Sequence, residues 1–158
     1  MINEHIEFMK VAIDIATYGL ANGIGGPFGA IVVKDGVVIG KGCNSVLSLN
    51  DPTAHAEVMA IRDACRNISN FQLEDCEIYT TCEPCPMCLG AIYWARPKNV
   101  YYASSRHDAA KAGFDDSFIY DELNKSFDER TIPMISLDTE GAANLFNIWK
   151  NSPMKKSY

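Results

Sequence analysis

The stretch GAIVVKDGVVIGKGCN, residues 29–44, constrains this chain more than any other. Two apolar runs flank Asp35-Gly36, the pair that favours a tight primed turn, so the stretch reads as a β-hairpin. Strands then alternate with helices. A helix is expected over NDPTAHAEVMAIRDACRNI, with Asp51 as N-cap, Pro52 at the first helical position, and Val58, Ile61, Cys65 and Ile68 facing the core. CEIYTT reads as a short strand. PCPMCLGAIYWA reads as a helix whose two prolines fit only its opening turn and which Arg96-Pro97 ends. NVYYAS follows as a strand, SFIYDELNKSF as a helix, IPMISL as a weaker strand and AANLFNIWKN as a final helix. Ahead of the hairpin, Ile6, Met9, Ile13, Ala16 and Leu20 give residues 2–21 an amphipathic helical period, with Gly23 as its stop. One hairpin followed by this alternation predicts an α/β fold. Its expected form is a three-layer αβα sandwich with a mixed central sheet of about five strands flanked by helices.

The 158 residues suit one domain, 1–158, and no internal repeat or Pro-, Gly- or Ser-rich linker divides them. No apolar run approaches the roughly 20 residues that span a bilayer. MINEHIEFMK carries acidic residues and no long apolar core, so neither a membrane partner nor a signal peptide is expected. A cytoplasmic, reducing setting follows, in which the six cysteines are thiols or metal ligands rather than disulfides. Fourteen basic against twenty acidic residues leave a net charge of −6. That balance opposes a nucleic-acid partner, whose affinity comes largely from Lys and Arg on phosphates.

Two helix openings carry the chemistry. His55-Ala56-Glu57 lies at one and Pro84-Cys85-Pro86-Met87-Cys88 at the other. Cys85 and Cys88, three apart, point to one face of a first turn, where the helix dipole and free N–H groups favour thiolates. Two thiolates and one imidazole make three ligands for Zn²⁺ and leave a tetrahedral corner open, the mark of a catalytic rather than a structural zinc. Metal-bound water ionises near neutral pH, and Glu57 is then the natural proton carrier. Residues two apart on an ideal helix point about 200° from one another. His55 and Glu57 therefore converge only if the helix frays at its Asp51-Pro52 start. A closed structural site would need a fourth ligand, for which Cys82 is the candidate, although it is expected to end the preceding strand. A redox CxxC is the other reading of the pair. Cys43, Cys65 and Cys76 lie in apolar patterns and read as packed thiols. His5 and His107 read as surface or helix-end residues.

The H-x-E…P-C-x-x-C pattern is the zinc signature of base deaminases, and the chain resembles the cytidine-deaminase-like superfamily across nearly its full length. By that resemblance His55, Cys85 and Cys88 bind zinc, one ion per subunit, and Glu57 shuttles protons. GIGGPFGAIVVKDG, NDPTAHAEVMAIR, YTTCEPCPMCLGAIYWARP and AGFDDSFIY together resemble the small bacterial guanine deaminases. The first three segments also recur loosely in tRNA adenosine deaminases. AIYWARP, FDDSFIY and the terminal KKSY separate the two.

The implied reaction is hydrolytic deamination of guanine to xanthine and ammonia, in purine catabolism or salvage. The paired N1–H and 2-amino donors of guanine suit a carboxylate. The family comparison assigns that role to Asp116, with Asp115 the alternative and an N-cap role open to either. Asn44 offers the purine both a donor and an acceptor. Phe28 stacks on the base or packs in the core. The Ala56 N–H and Trp94 fit the family pocket, and Tyr158 closes over it. In that family the C-terminal segment, here about 140–158, is exchanged between the subunits of a homodimer. The alternatives are a tRNA adenosine deaminase or another nucleobase or nucleoside deaminase, and, outside catalysis, a zinc-stabilised binding module.

Overall fold

A computed structural model describes residues 2–137, 139 and 141–158. They form two compact units, one ending at Asp116 and the other spanning Ser117–Tyr158.

The first unit begins with helix α1 (Ile2–Ala21), then the hairpin strands β1 (Gly29–Lys34) and β2 (Val37–Cys43). Asp35 and Gly36 both have positive φ, as the primed turn requires. The short helix α2 (Val46–Leu49), helix α3 (Ala56–Ile68), β3 (Cys76–Cys82), α4 (Pro86–Ala95), β4 (Asn99–Ser104) and α5 (Arg106–Lys111) follow. The sheet order is β2-β1-β3-β4: β1 is antiparallel to both neighbours, and β3 and β4 are parallel across the α4 crossover. Alternate residues of β1 serve the two faces. Ala30 and Val32 join Ala56, Ala60 and Ala64 of α3 and Ile92 and Ala95 of α4. Ile31 and Val33 join Tyr79 and, from α1, Phe8, Met9, Val11 and Ile15. The predicted αβα layering is therefore present, with four strands rather than about five among the described residues.

Small residues set how closely the layers approach. The innermost stripe of α3 is Ala56, Ala60 and Ala64, while the larger Ile61, Cys65 and Ile68 are only half-buried around it. A Cβ added at Gly42 of β2 would lie 2.3 Å from the Ala56 carbonyl oxygen and 2.5 Å from the Ala60 nitrogen. Glycine thus lets the α3 backbone lie on β2, which brings the α3 opening to the end of the sheet beyond Cys43. The same device seats α1, whose buried line is Ala12, Ala16 and Gly19, whereas Ile6, Ile13 and Leu20 turn outward.

α3 also starts later than the sequence suggests. Asp51 does not cap it; its Oδ1 accepts from the Thr53 N–H (2.8 Å) and hydroxyl (2.7 Å) in a local turn, and the first helical residue is Ala56.

The second unit holds α6 (Ser117–Leu123) and α7 (Ala142–Lys150). Glu122 ties its first helix to the following loop, accepting from the Thr131 N–H (2.7 Å) and hydroxyl (2.9 Å). IPMISL forms no strand: Ile132, Ile135 and Leu137 are exposed, and Pro133 has no N–H to give a ladder. Leu145, Phe146, Ile148 and Trp149 of α7 are likewise exposed.

Candidate metal and active site

His55 and Cys85 are each the N-cap of a helix, in extended conformations with φ −70°, ψ 156° and φ −65°, ψ 167°. Pro86 follows Cys85 at the opening of α4, where its fixed φ suits a helix start and its missing N–H leaves nothing unpaired. Because an N-cap lies outside the helical spiral, the 200° divergence between His55 and Glu57 does not arise. Glu57 is in the first turn of α3, and His55 turns in from the cap toward α4.

His55 Nδ1 is 3.6 Å from Cys85 Sγ and 3.5 Å from Cys88 Sγ. The three ligand atoms lie within 4.8 Å of one another, and they are the metal-ready cluster among the described residues. A tetrahedral zinc with ordinary Zn–S and Zn–N lengths separates sulfur and nitrogen ligands by about 3.6 Å. Donor type and spacing both fit that ion. Cys82 is not in the cluster. Its buried thiol donates to the Ser105 carbonyl at 3.6 Å, and burial pushes it up to about 11.

The electrostatics favour negative charge on one sulfur. The Cys88 thiol hydrogen bond, with help from His55, holds Cys85 down to about 4 against its burial. Cys88 moves the other way, raised first by its bond to Cys85. His55 is raised, chiefly by Cys85. Burial raises Glu57, which is 6% exposed. Its Oε1 accepts from the Thr80 hydroxyl at 3.1 Å and its Oε2 from the Cys88 thiol at 3.4 Å. A carboxyl of raised proton affinity, fixed beside two thiols and an imidazole, is equipped to take and return protons next to a metal.

The remaining expected residues divide. Asp116 is half-buried and Asp115 exposed; burial and then the Cys85 charge raise Asp116. Phe28 is half-buried and meets Phe114 edge-on, with centroids 4.9 Å apart. Both line a cavity of about 160 Å³ with Thr81 and Cys82. Ala56 is fully buried at the first position of α3, and Asn44 is buried just beyond β2. Trp94 is 63% exposed, near the far end of α4, nine residues and about 13 Å of helix axis from Cys85. Tyr158, in the second unit, is exposed and meets Trp149 edge-on at 6.5 Å. His5 is no bystander: its Nδ1 is 2.7 Å from the Tyr79 hydroxyl, which donates to Glu77 at 2.9 Å.

Thr80 is the residue that sequence reasoning passed over. A threonine inside the apolar strand CEIYTTC, here 1% exposed, was the available signal, since a buried hydroxyl needs a partner.

Comparison with known proteins agrees with this geometry. Residues 2–104 match the family described as the cytidine and deoxycytidylate deaminase zinc-binding region. Guanine deaminase of Bacillus subtilis is 56% identical over 154 residues, covering 98% of this chain and 99% of that protein. An X-ray structure of guanine deaminase from Bacillus subtilis superposes with a TM-score of 0.95 over 98% of both chains. The tRNA-specific adenosine deaminase of Buchnera aphidicola subsp. Schizaphis graminum is 41% identical, covering 94% of this chain and 96% of that one. With its His55, Cys85 and Cys88 cluster inside the matched region, the chain belongs to the cytidine and deoxycytidylate deaminase zinc-binding family.

Proposed function

We propose that this chain hydrolyses guanine, with guanine and water giving xanthine and ammonia, and that His55, Cys85 and Cys88 hold one Zn²⁺ per subunit. One observation carries the reading: the buried Glu57 stands against a His/Cys/Cys cluster in a chain 56% identical to a guanine deaminase over nearly its full length. Zinc at that cluster supplies Lewis-acid activation of water.

The protein's own groups do the rest. Glu57 takes a proton from the attacking water and passes protons to the purine ring nitrogen and then to the departing 2-amino nitrogen. Its burial supports this, because a carrier that must both accept and donate works best with a proton affinity near ambient pH. Thr80 fixes Oε1 and leaves Oε2 turned to the cluster. Asp116 accepts from N1–H and the 2-amino group, Asn44 bonds the base from the β2 side, Phe28 stacks on it, and the Ala56 N–H supplies a main-chain donor. Holding C2 toward the cluster is catalysis by positioning.

Residues 1–158 act as one deaminase domain. Two copies form a homodimer in the cytoplasm, serving purine catabolism or salvage. Exchange of segment 140–158 would bring Tyr158 to the partner's pocket, with Trp94 beside the interface. The exposed apolar side chains of α7 and α4 support a partner surface there.

Incubating purified, zinc-loaded protein with guanine, adenine, adenosine and cytosine tests the reading. Guanine is expected to lose its ultraviolet band and release ammonia, and the others are not. The 41% identical tRNA-specific adenosine deaminase supports a second reading, against which the net charge of −6 argues. Tight, steeply salt-dependent binding of anticodon-like RNA would favour it. A non-catalytic zinc module would need Cys82 as fourth ligand, and X-ray absorption would then count three zinc-bound sulfurs instead of two.

A further inference from the structure

Helix α5 has only six residues, too few to hold together alone, yet it is fastened at both ends. At its start Ser105 Oγ accepts from the Asp108 N–H at 3.3 Å, while Asp108 Oδ2 accepts from the Ser105 N–H at 3.1 Å. At its end Gly113 takes φ +94°, and the Gly113 and Phe114 N–H groups donate to the Ala110 and Ala109 carbonyls, each at 3.0 Å. That is the paired closure a left-handed glycine gives a helix. Phe114, edge-on to Phe28, is thereby tied to α5, and Asp116 lies two residues beyond it. What holds α5 itself is the turn between β3 and α4. The Glu83 N–H donates to the Ser104 carbonyl at 2.8 Å, the Cys82 thiol to the Ser105 carbonyl at 3.6 Å, and the Arg106 N–H to Glu83 Oε2 at 3.0 Å. Arg106 is the first residue of α5, so its N–H lies in the opening turn, where no carbonyl of the helix itself can accept it. Glu83 supplies that acceptor from two residues before Cys85.

We infer that Glu83 is a positioning residue for base recognition: from the turn that carries Cys85 it holds α5, and through α5 Phe114 and the Asp116 loop, in a set relation to Cys85. The inference rests on the guanine reading above, in which Asp116 accepts from the base, and adds to it a residue that acts only through others. Glu83 needs no more than an acceptor oxygen for this, so a glutamine serves as well and an alanine does not. Releasing α5 loosens the hold on the base and leaves the metal ligands where they are. His55 opens α3, and Cys85 and Cys88 belong to the opening of α4, where the Cys85 carbonyl accepts from the Leu89 N–H at 2.8 Å.

The main-chain half of the bond can be removed by itself. Arg106→Pro deletes the N–H, suits the first position of a helix, and follows a Ser105 already extended at φ −81°, ψ 162°. Arg106→Ala loses the same side chain and keeps the N–H. Full-length, zinc-loaded wild-type, Glu83→Ala, Glu83→Gln, Arg106→Ala and Arg106→Pro proteins are compared by zinc content, guanine kinetics and hydrogen exchange. Glu83→Ala is expected to keep its zinc and to raise the guanine KM about ten- to hundredfold with a smaller change in kcat. It is also expected to speed exchange over residues 105–116 and not over 56–68. Glu83→Gln is expected within about threefold of wild type. Arg106→Pro should show the Glu83→Ala defect relative to Arg106→Ala, and combining it with Glu83→Ala should add little. Zinc loss in step with activity in Glu83→Ala, an unchanged KM, or a Glu83→Gln protein as impaired as Glu83→Ala overturns the inference. Should Glu83→Ala not fold, the two Arg106 variants decide, and equal KM values in them overturn it. A wild-type protein that leaves guanine untouched counts against the deaminase reading alone. Exchange over 105–116 then tests the tie by itself, and equal exchange in wild type and Glu83→Ala overturns it.

Discussion

Thr80→Val removes one hydroxyl from the sealed side of Glu57 and changes little else in volume. Thr80 is 1% exposed, and its hydroxyl donates to Glu57 Oε1 at 3.1 Å. That bond favours the ionised carboxyl, opposing the burial that raises Glu57. A hydrogen bond to a charged group contributes about 1.5–3 kcal/mol, and each 1.4 kcal/mol is a factor of about ten. If Glu57 must be ionised to accept the water proton, losing the donor moves the acid limb of the pH–rate profile upward. At a fixed pH on that limb the rate should fall roughly ten- to hundredfold, while the plateau above the limb stays near wild type. The stability sign agrees. A carboxyl raised on folding adds stability below its unfolded value and loses it as pH rises through the folded one, and the valine makes that loss larger. Guanine turnover followed by ultraviolet absorbance from acid to alkaline pH, with zinc content and melting temperature measured alongside, is the assay. A folded, zinc-loaded Thr80→Val protein with an unmoved acid limb refutes the assignment of Glu57 as proton carrier held by Thr80.

Three further outcomes follow from the geometry. Cys85→Ser should abolish zinc retention and activity, while Cys82→Ser should keep one zinc per chain and activity within about fivefold by metal analysis and assay, because Cys82 is turned to Ser105. Gly42→Ala forces α3 from β2 and should destabilise by about 1–3 kcal/mol or more in denaturant melts, with weakened zinc binding, since Ala56 adjoins His55. Tyr79 is raised by burial and then by Glu77, so its contribution holds through neutral pH and is lost as pH climbs toward that raised value. Tyr79→Phe should flatten the alkaline limb of the stability–pH curve.

The parts of this protein that depend on short-range pattern were legible in the sequence: the Asp35-Gly36 hairpin, the 2–21 helix and the layering implied by alternation. So was the pairing of His55 with Cys85 and Cys88 in one metal-ready cluster, because two helix openings with metal-binding residue types need only be brought together. What escaped was set by tertiary contact. Asp51-Pro52 has the local look of a helix start, yet α3 begins at Ala56, where His55 becomes an extended N-cap and the angular objection to His55 with Glu57 disappears. The α3 core face was read from its large residues, whereas its innermost stripe is alanine against the glycines of β2. That choice depends on interlayer distance, which periodicity does not encode. IPMISL had the apolar composition of a strand but gains no ladder partner among the described residues.

The central claim is that a zinc-loaded His55/Cys85/Cys88 cluster with Glu57 removes the amino group of guanine. Simultaneous measurement of ammonia and xanthine from guanine, by wild-type protein and by Glu57→Gln at matched zinc content, tests it most directly. The account predicts equal amounts of both products from the wild type and a loss of at least about a hundredfold in the variant. Folded, zinc-loaded wild-type protein that releases no ammonia from guanine, or a Glu57→Gln protein that keeps full rate, would contradict it.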